Sequence, residues 1–193
     1  MVLFLQTPHL DLVAATLLHA EAELGGPRQV ARLLGVTVPK DWPPPGISRQ
    51  FIEGFRTRMR ADGPAAIGWY AWYAVCRGAA LQPSALVGAA AFFGQPDPQG
   101  AVELGFTILP EYRGRRHGVE MVATLAGHAL ADRRVRRVVS DARARDRATL
   151  AVLRHCGFHP EGELEPGIVR MIRCLGDPAV TDGGADDEQE DDS

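Results

Sequence analysis

The stretch ILPEYRGRRHGVEMV, residues 108–122, decides the fold because it joins the end of a strand to the start of a helix. The segment before it, AVELGFTIL (101–109), places Val102 on one face and Glu103 on the other, and this alternation predicts a strand. The segment after it, residues 118–133, predicts a helix. Because the first amides of a helix have no partners within the helix, a loop at this point is suited to bind an anion.

The loop itself has the composition of a phosphate site. Gly114 and Gly118 let the backbone approach a ligand closely, and Arg113, Arg115 and Arg116 can form charge-assisted hydrogen bonds to phosphate oxygens. The loop lacks the Gly-Lys-Ser/Thr ending of nucleoside-triphosphate loops, and it does not match the dinucleotide fingerprint. From these residues alone, a phosphate site and a solvent-exposed basic turn both remain open.

The rest of the chain predicts a layered α/β domain. Thr7 as a cap, Pro8 in the first turn and Gly25 with Gly26 at the end predict an N-terminal helix over 7–26. Further helices are predicted at 27–35, 47–63, 118–133 and 146–157, and strands at 67–76, 85–94, 101–109, 135–142, 158–164 and 167–175.

Charge and composition bound the class of protein. The net charge of −3 includes eight acidic residues and no basic residue from Asp177 onward, which leaves +5 on residues 1–176. No apolar run is long enough to span a bilayer, and the N-terminus lacks the features of a signal peptide. We therefore expect a cytoplasmic protein without membrane contact. The basic run DRRVRR is short and has no interleaved aromatic residues, so no nucleic-acid partner is expected.

Two motifs at a fixed spacing resemble the GNAT superfamily of acyl-CoA-dependent N-acetyltransferases, and most closely its ribosomal-protein N-terminal acetyltransferase branch. In the pyrophosphate motif, Arg113 takes the first place and Gly118 the last, while Arg116 replaces the middle glycine. The Cβ of Arg116 predicts that this residue keeps a negative φ. The second motif runs from Asp146 to Phe158, and its matching residues are Asp146, Thr149, Val152, Leu153, Gly157 and Phe158.

The resemblance implies the fold and the domain boundaries. It implies a mixed, mostly antiparallel twisted sheet with helices on both faces. Residues 1–175 would form a single acetyltransferase domain, with a helical N-terminal part (1–64) and a part that holds the sheet and the cofactor site (65–175). Residues 176–193 are expected to form an acidic disordered tail.

The resemblance also implies acetyl-CoA as cosubstrate and direct attack of a primary amine on its thioester. The cofactor-binding residues it implies are Ile108, Leu109, Arg113, Gly114, Arg115, Arg116, His117, Gly118, Asp146 and Thr149, with Ile108 and Leu109 beside the acyl group. Glu103 is the candidate base, and a solvated glutamate at the edge of the sheet is the alternative. Leu153 stands where many relatives have a tyrosine acid. No metal site is expected.

The acceptor and the assembly stay open at this stage. The resemblance allows a small-molecule amine or a peptide N-terminus as acceptor, and we expect a monomer or a homodimer. The aromatic residues Trp69, Tyr70, Trp72 and Tyr73 either line an acceptor pocket or belong to the core. A non-catalytic protein of the same fold that binds acyl-CoA as a sensor is the alternative function, because Arg116, Asp146 and Leu153 depart from the family pattern.

Overall fold

The computed structural model describes residues 3–79 and 82–177. Within them, eight strands form one sheet in the order β1-β2-β3-β4-β5-β6-β8-β7. Neighbouring strands are antiparallel, except that β5 and β6 are parallel. The strands are β1 (Phe4–Gln6), β2 (Leu10–Ala14), β3 (Ala71–Cys76), β4 (Ala85–Phe92), β5 (Ala101–Ile108), β6 (Arg137–Arg143), β7 (His159–Glu165) and β8 (Ile168–Cys174). The predicted mixed, mostly antiparallel sheet is confirmed.

Helices cover both faces of this sheet. In the described residues they are α1 (Leu17–Gly25), α2 (Pro27–Leu34), α3 (Arg49–Asp62), α4 (His117–Leu130) and α5 (Arg147–His155). Side chains of α4 and α5 pack against Val102 and Leu104 of β5 in the largest apolar cluster. On the opposite face, α1, α2 and α3 pack against Tyr73, Ala89 and Ala91 of β3 and β4.

The predicted helix over residues 7–26 is wrong in its first half. Leu10–Ala14 form β2, which pairs along its length with β3 and buries Leu10, Leu12 and Ala14 completely. The Thr7 hydroxyl accepts the N–H of Leu10 at 2.8 Å, so Thr7 closes the turn between β1 and β2. The helix begins only at Leu17. Pairing with a strand far along the chain has overridden the local helical spacing, and the N-terminal part therefore contains strands as well as helices.

The other element predictions agree with the structure to within a few residues. Pro27 begins α2 and Gly35 ends it with a φ of 68°, the Asp146 side chain caps α5, and β7 and β8 form the predicted C-terminal hairpin. The strand predicted over 67–76 begins only at Ala71. The predicted disordered tail lies almost wholly at 178–193, outside the described residues.

A gap opens in the middle of the sheet. The pairing of β5 with β6 covers only Ala101–Glu103 and Arg137–Val139, although β5 continues to Ile108 and β6 to Arg143. The two strands therefore part at their C-terminal ends, where the chain leads into α4 and α5. In α/β sheets, ligands bind at such an edge.

Among the described helices, none is long and apolar enough to cross a membrane.

Candidate functional site

The loop predicted to bind an anion connects β5 to α4. After β5 the chain forms a short 3₁₀ turn, Pro110–Tyr112, and α4 begins at His117. Gly114 adopts a φ of 75°, and Arg116 adopts a φ of 61° with a ψ of 3°. The prediction that Arg116 keeps a negative φ is wrong. Arg116 takes a left-handed conformation, which ordinarily favours glycine, and this residue directly precedes α4.

The left-handed Arg116 leads to a stability prediction. We expect Arg116→Gly to be more stable than Arg116→Val by about 2 kcal/mol, because a β-branched residue is strongly disfavoured at positive φ whereas glycine is not. Both variants lose the contact between the Arg116 guanidinium and His155 Nε2, 3.0 Å apart, so the comparison cancels that loss. Urea unfolding of the two variants measures the difference. Equal stabilities would contradict the left-handed conformation.

Eight of the ten predicted cofactor-binding residues line one cavity of about 420 Å³ at the gap between β5 and β6. They are Ile108, Arg113, Gly114, Arg116, His117, Gly118, Asp146 and Thr149. No side chain caps the N-terminus of α4, so the first amides of this helix are available to a ligand. The loop and the start of α5, which are well separated in the chain, thus converge on one side of the gap.

The edge of β5 contributes backbone donors to the same cavity. The N–H of Leu109 donates to the carbonyl of Val87 at 2.9 Å, and the N–H of Phe93 donates to the carbonyl of Glu103 at 3.1 Å. In this antiparallel register the odd-numbered residues of β5 bond to β4, so Phe106 and Ile108 direct their N–H and C=O groups toward the gap. The carbonyl of Ile108 accepts the Arg113 Nε at 3.0 Å.

Two of the predicted cofactor residues do not line this cavity. Leu109 is 1% exposed and packs in the apolar cluster on the face covered by α1 and α2. The Arg115 guanidinium lies 5.7 Å from the centre of the Tyr112 ring. Of the pair predicted beside the acyl group, Ile108 therefore faces the gap and Leu109 lies in the core.

Asp146 is already engaged within α5. One carboxylate oxygen accepts the N–H of Thr149 at 3.0 Å, and the other accepts its hydroxyl at 2.9 Å. The hydrogen bond from the Thr149 amide is the main cause that lowers the pKa of Asp146. The carboxylate therefore positions the start of α5 beside the cavity, and its remaining lone pairs can accept from a ligand N–H.

The buried imidazole of His117 has no hydrogen-bond partner among the described residues. It is 5% exposed, it lines the cavity, and both of its ring nitrogens are buried without a hydrogen bond. Burial lowers its pKa, so the ring is neutral at pH 7. On the next turn of the helix, Glu120 accepts the Thr7 hydroxyl at 2.5 Å and approaches His9 Nδ1 at 2.6 Å. These bonds fasten the β1–β2 turn to α4.

Glu103 lies on the other side of the sheet. It lines a separate cavity of about 260 Å³, together with Phe93, Arg137 and Arg170. Burial, and then the negative charge of Asp141, raise the pKa of Glu103, while the charge of Arg170 lowers it. Arg170 itself bonds to both oxygens of Asp141, at 2.8 and 2.7 Å. The structure thus places the candidate base away from the loop residues, on the face that α1, α2 and α3 cover.

The position of the usual tyrosine acid carries no polar group. Leu153 is completely buried in the core between the sheet and the helices. The nearby Cys156 is also completely buried, and burial raises the pKa of its thiol to about 12. Cys156 is therefore a protonated core residue at pH 7.

Sequence reasoning did not single out Glu23 and Trp42, which line a cavity in the structure. Both line an aromatic cavity on the face of the sheet that holds Glu103, together with Tyr73. Tyr73 is one of the four aromatic residues whose role was open, and all four are less than a tenth exposed. The 7–26 segment was predicted as one uninterrupted helix and Trp42 lies in a proline-rich loop, so no local signal marked the pair.

A family model described as an acetyltransferase (GNAT) domain matches residues 9–159. No curated protein sequence matches the chain.

Solved structures share the fold. The ribosomal L7/L12 alpha-N-protein acetyltransferase RimL, without ligand, is 20% identical with a TM-score of 0.60 over 90% of this chain and 95% of its own. The complex of RimL with coenzyme A has a TM-score of 0.59 and 20% identity, and the match covers 90% of this chain and 98% of the RimL chain. Spermidine N-acetyltransferase from Vibrio cholerae, in complex with CoA and spermine, has a TM-score of 0.61 and 14% identity. This match covers 89% of this chain and 98% of the other chain.

Proposed function

This chain belongs to the GNAT family of acetyltransferases, and from that premise we propose that it transfers an acetyl group from acetyl-CoA to a primary amine. The observation that carries the proposal is the convergence of the loop and the start of α5 on the gap between β5 and β6. The uncapped amides of α4 are suited to bind the phosphates of acetyl-CoA, and so are the side chains of Arg113 and Arg116. The backbone N–H groups of Phe106 and Ile108 can donate hydrogen bonds to the amide-containing arm and to the acyl oxygen of acetyl-CoA.

The reaction requires a neutral amine, a stabilised oxyanion and a leaving thiolate. The amine nitrogen attacks the thioester carbon, and the carbon–sulfur bond then breaks. We assign the oxyanion to a backbone N–H of β5 that faces the gap, either Phe106 or Ile108. Glu103 takes the proton of the amine through water. Because Leu153 offers no proton, the thiolate leaves unassisted, which the ordinary thiol pKa of about 8.5 permits.

A non-catalytic acyl-CoA sensor is the second candidate, and the buried Leu153 is the observation in its favour. The left-handed Arg116 weakens one reason for the sensor, because the arginine side chain does not prevent the backbone at that position from taking a conformation that favours glycine.

Cofactor binding is the first test of both candidates. We expect acetyl-CoA and CoA at a hundredfold their dissociation constants to stabilise the protein by about 2.7 kcal/mol. For a domain of this size that corresponds to a rise in Tm of about 5–10 °C, measured by thermal shift. The absence of any shift at millimolar ligand would remove the enzyme and the sensor together. If binding is found, release of CoA in the presence of a panel of amines and N-terminal peptides separates enzyme from sensor.

We further propose a cytoplasmic monomer or homodimer whose partner is the amine acceptor, a small molecule or a peptide N-terminus, rather than a membrane or a nucleic acid. The sequence features given above support this proposal. Cell fractionation and size-exclusion chromatography test the location and the assembly.

A further inference from the structure

Three side chains that can bind a metal ion converge at the end of the last strand. They are His159, the first residue of β7, Cys174, the last residue of β8, and Asp177, three residues further along the chain. One ligand atom of each side chain lies within 4.8 Å of the other two. Within residues 3–79 and 82–177, no other three histidine, cysteine, aspartate or glutamate side chains are grouped in this way.

The hairpin of β7 and β8 brings two of these side chains together. His159 is paired with Ile172, and Cys174 lies two residues further along β8, so their side chains are on the same face of the sheet. Their spacing in the sequence matches no common zinc motif. Strand pairing therefore indicates a site where the sequence predicted none.

A turn after β8 positions the third side chain. The N–H of Asp177 donates to the carbonyl of Cys174 at 3.2 Å, and the N–H of Cys174 donates to Asp177 Oδ2 at 2.6 Å. The same carboxylate oxygen lies 3.7 Å from His159 Nε2. The carboxylate is thus held against the backbone of Cys174 and faces the imidazole.

The thiol of Cys174 has no hydrogen-bond acceptor among the described residues. The thiols of Cys76 and Cys156, by contrast, each donate to a backbone carbonyl, at 3.8 and 3.5 Å. Cys174 is partly buried, and the side chains of His159 and Asp177 are 55% and 28% exposed. An ion from solvent can therefore reach all three ligand atoms.

The charges around the cluster are compatible with a divalent cation. Arg137 of β6 is the register partner of Cys174, and its guanidinium donates to Glu161 at 3.2 Å. That ion pair offsets the positive charge beside the cluster. Binding of a metal releases the proton of the thiol, and the thiolate together with the carboxylate of Asp177 then balances a charge of about +2.

We propose that His159, Cys174 and Asp177 bind a zinc ion, with water as the fourth ligand. Thiolate, imidazole and carboxylate groups are zinc ligands, whereas calcium and magnesium take oxygen ligands. In a tetrahedral zinc site such ligand atoms lie about 3.4–3.6 Å apart. The distance of 3.7 Å between Nε2 and Oδ2 is close to this value, and Sγ has to move by about 1 Å.

The zinc ion joins the start of β7 to the turn after β8. It lies too far from Glu103 to take part in acetyl transfer, because Glu103, Val139, Ile172 and His159 form one row of paired residues across four strands. Three strand spacings separate the first of them from the last, which is about 14 Å. The role of the ion is therefore structural, and this inference does not rest on the proposed function.

Cobalt substitution tests the thiolate ligand directly, because a bond between Co²⁺ and a thiolate produces a charge-transfer band in the near ultraviolet. We expect the full-length wild-type protein, in reducing buffer without CoA, to develop this band with Co²⁺ and to lose it when Zn²⁺ is added. Cys174→Ser should abolish the band. Cys76→Ser removes a thiol outside the cluster and should keep it. A wild-type protein without the band, or a band that survives Cys174→Ser, would overturn the proposal.

Calorimetric titration with Zn²⁺ tests the other two ligands. Asp177→Asn keeps an oxygen that can accept the N–H of Cys174 but removes the charge, and His159→Ala removes the imidazole. Each change should weaken zinc binding at least about tenfold. Glu165→Gln removes an exposed charge from β7 outside the cluster and should leave the affinity within about twofold. Zinc binding that is unchanged in Asp177→Asn and His159→Ala would place the ion elsewhere and refute the site.

Thermal unfolding separates this inference from the proposed function. Zn²⁺ at a hundredfold its dissociation constant should raise the Tm of the wild-type protein by about 5–10 °C, and a chelator should reverse the rise. Cys174→Ser should lose the response to Zn²⁺ and keep the response to CoA. An equal zinc response in Cys174→Ser and the wild type would contradict the zinc site, whatever the response to CoA. Asp177→Asn serves as the second variant if Cys174→Ser does not fold.

Discussion

Replacing Glu103 with glutamine is expected to lower kcat at least a hundredfold while leaving the affinity for CoA unchanged. Glutamine has nearly the shape of glutamate but cannot take a proton, and general-base catalysis contributes about 10²–10⁴ to the rate. Glu103 is three residues from Phe106, about 10 Å along the strand, so the proton passes through water. Because Glu103 lies outside the cavity that holds the loop, its loss should not affect the CoA-induced rise in Tm.

The pH dependence of the wild-type enzyme should report the same group. Burial and Asp141 raise the pKa of Glu103 above its usual 4.5. The base must be ionised, so kcat/KM should fall as the pH drops through this raised pKa. Folding disfavours the ionised form of Glu103, so ionisation lowers the free energy of unfolding. This loss is complete once the pH exceeds the raised pKa of Glu103 in the folded protein. Glu103→Gln should therefore be at least as stable as the wild type at pH 7.

Glu161 provides the control for Glu103. It lines the same cavity, and its side chain is exposed and paired with Arg137 at 3.2 Å. Glu161→Gln should leave kcat within about twofold, because Glu161 is at the rim and already has a counter-charge. Unchanged turnover in Glu103→Gln, or an equal loss in both variants, would remove Glu103 as the base and leave it as a partly buried glutamate in the interior of the sheet, since β5 lies between β4 and β6.

The order of the elements around the gap could be predicted because its signals are local. The alternation in β5, the glycines of the loop, the cap Asp146 and Gly157 after α5 each act within a few residues. Together they placed the loop that is rich in arginine and glycine between the end of β5 and the start of α4. The errors have a different origin. Leu10 and Val13 fit a helix as well as a strand, and only the pairing of β2 with β3 decides between them.

The aromatic cavity could not be predicted for a related reason. Glu23, Trp42 and Tyr73 come from a helix, a proline-rich loop and a strand, and only the packing of α1 on the sheet brings them together.

Arg116 shows a further limit of prediction from the sequence. Its Cβ disfavours a positive φ, yet the turn into α4 requires one, and the surrounding loop imposes it on an arginine.

Replacing Gly88 with valine is expected to destabilise the fold by about 3 kcal/mol, although valine ordinarily favours strands. A Cβ at Gly88 would lie 2.4 Å from the carbonyl oxygen of Thr107 and 2.7 Å from the Ile108 side chain. Gly88 is paired with Ile108, so β4 and β5 would have to move apart beside the gap. We expect a fall in Tm of about 6–12 °C, measured by calorimetry, and a weaker response to CoA because Ile108 is displaced.

Gly127→Ala is the matched control and should change stability in the opposite direction. Gly127 lies inside α4, and a Cβ there has no heavy atom within 4 Å among its described neighbours. Alanine in a helix interior is favoured over glycine by about 1 kcal/mol, so this variant should gain stability. A Gly88→Val protein as stable as the wild type would show that β4 does not require glycine opposite Ile108. Opposite signs for the two glycine replacements would show that the close approach of β4 to Thr107 and Ile108, and not the loss of glycine as such, causes the destabilisation in Gly88→Val.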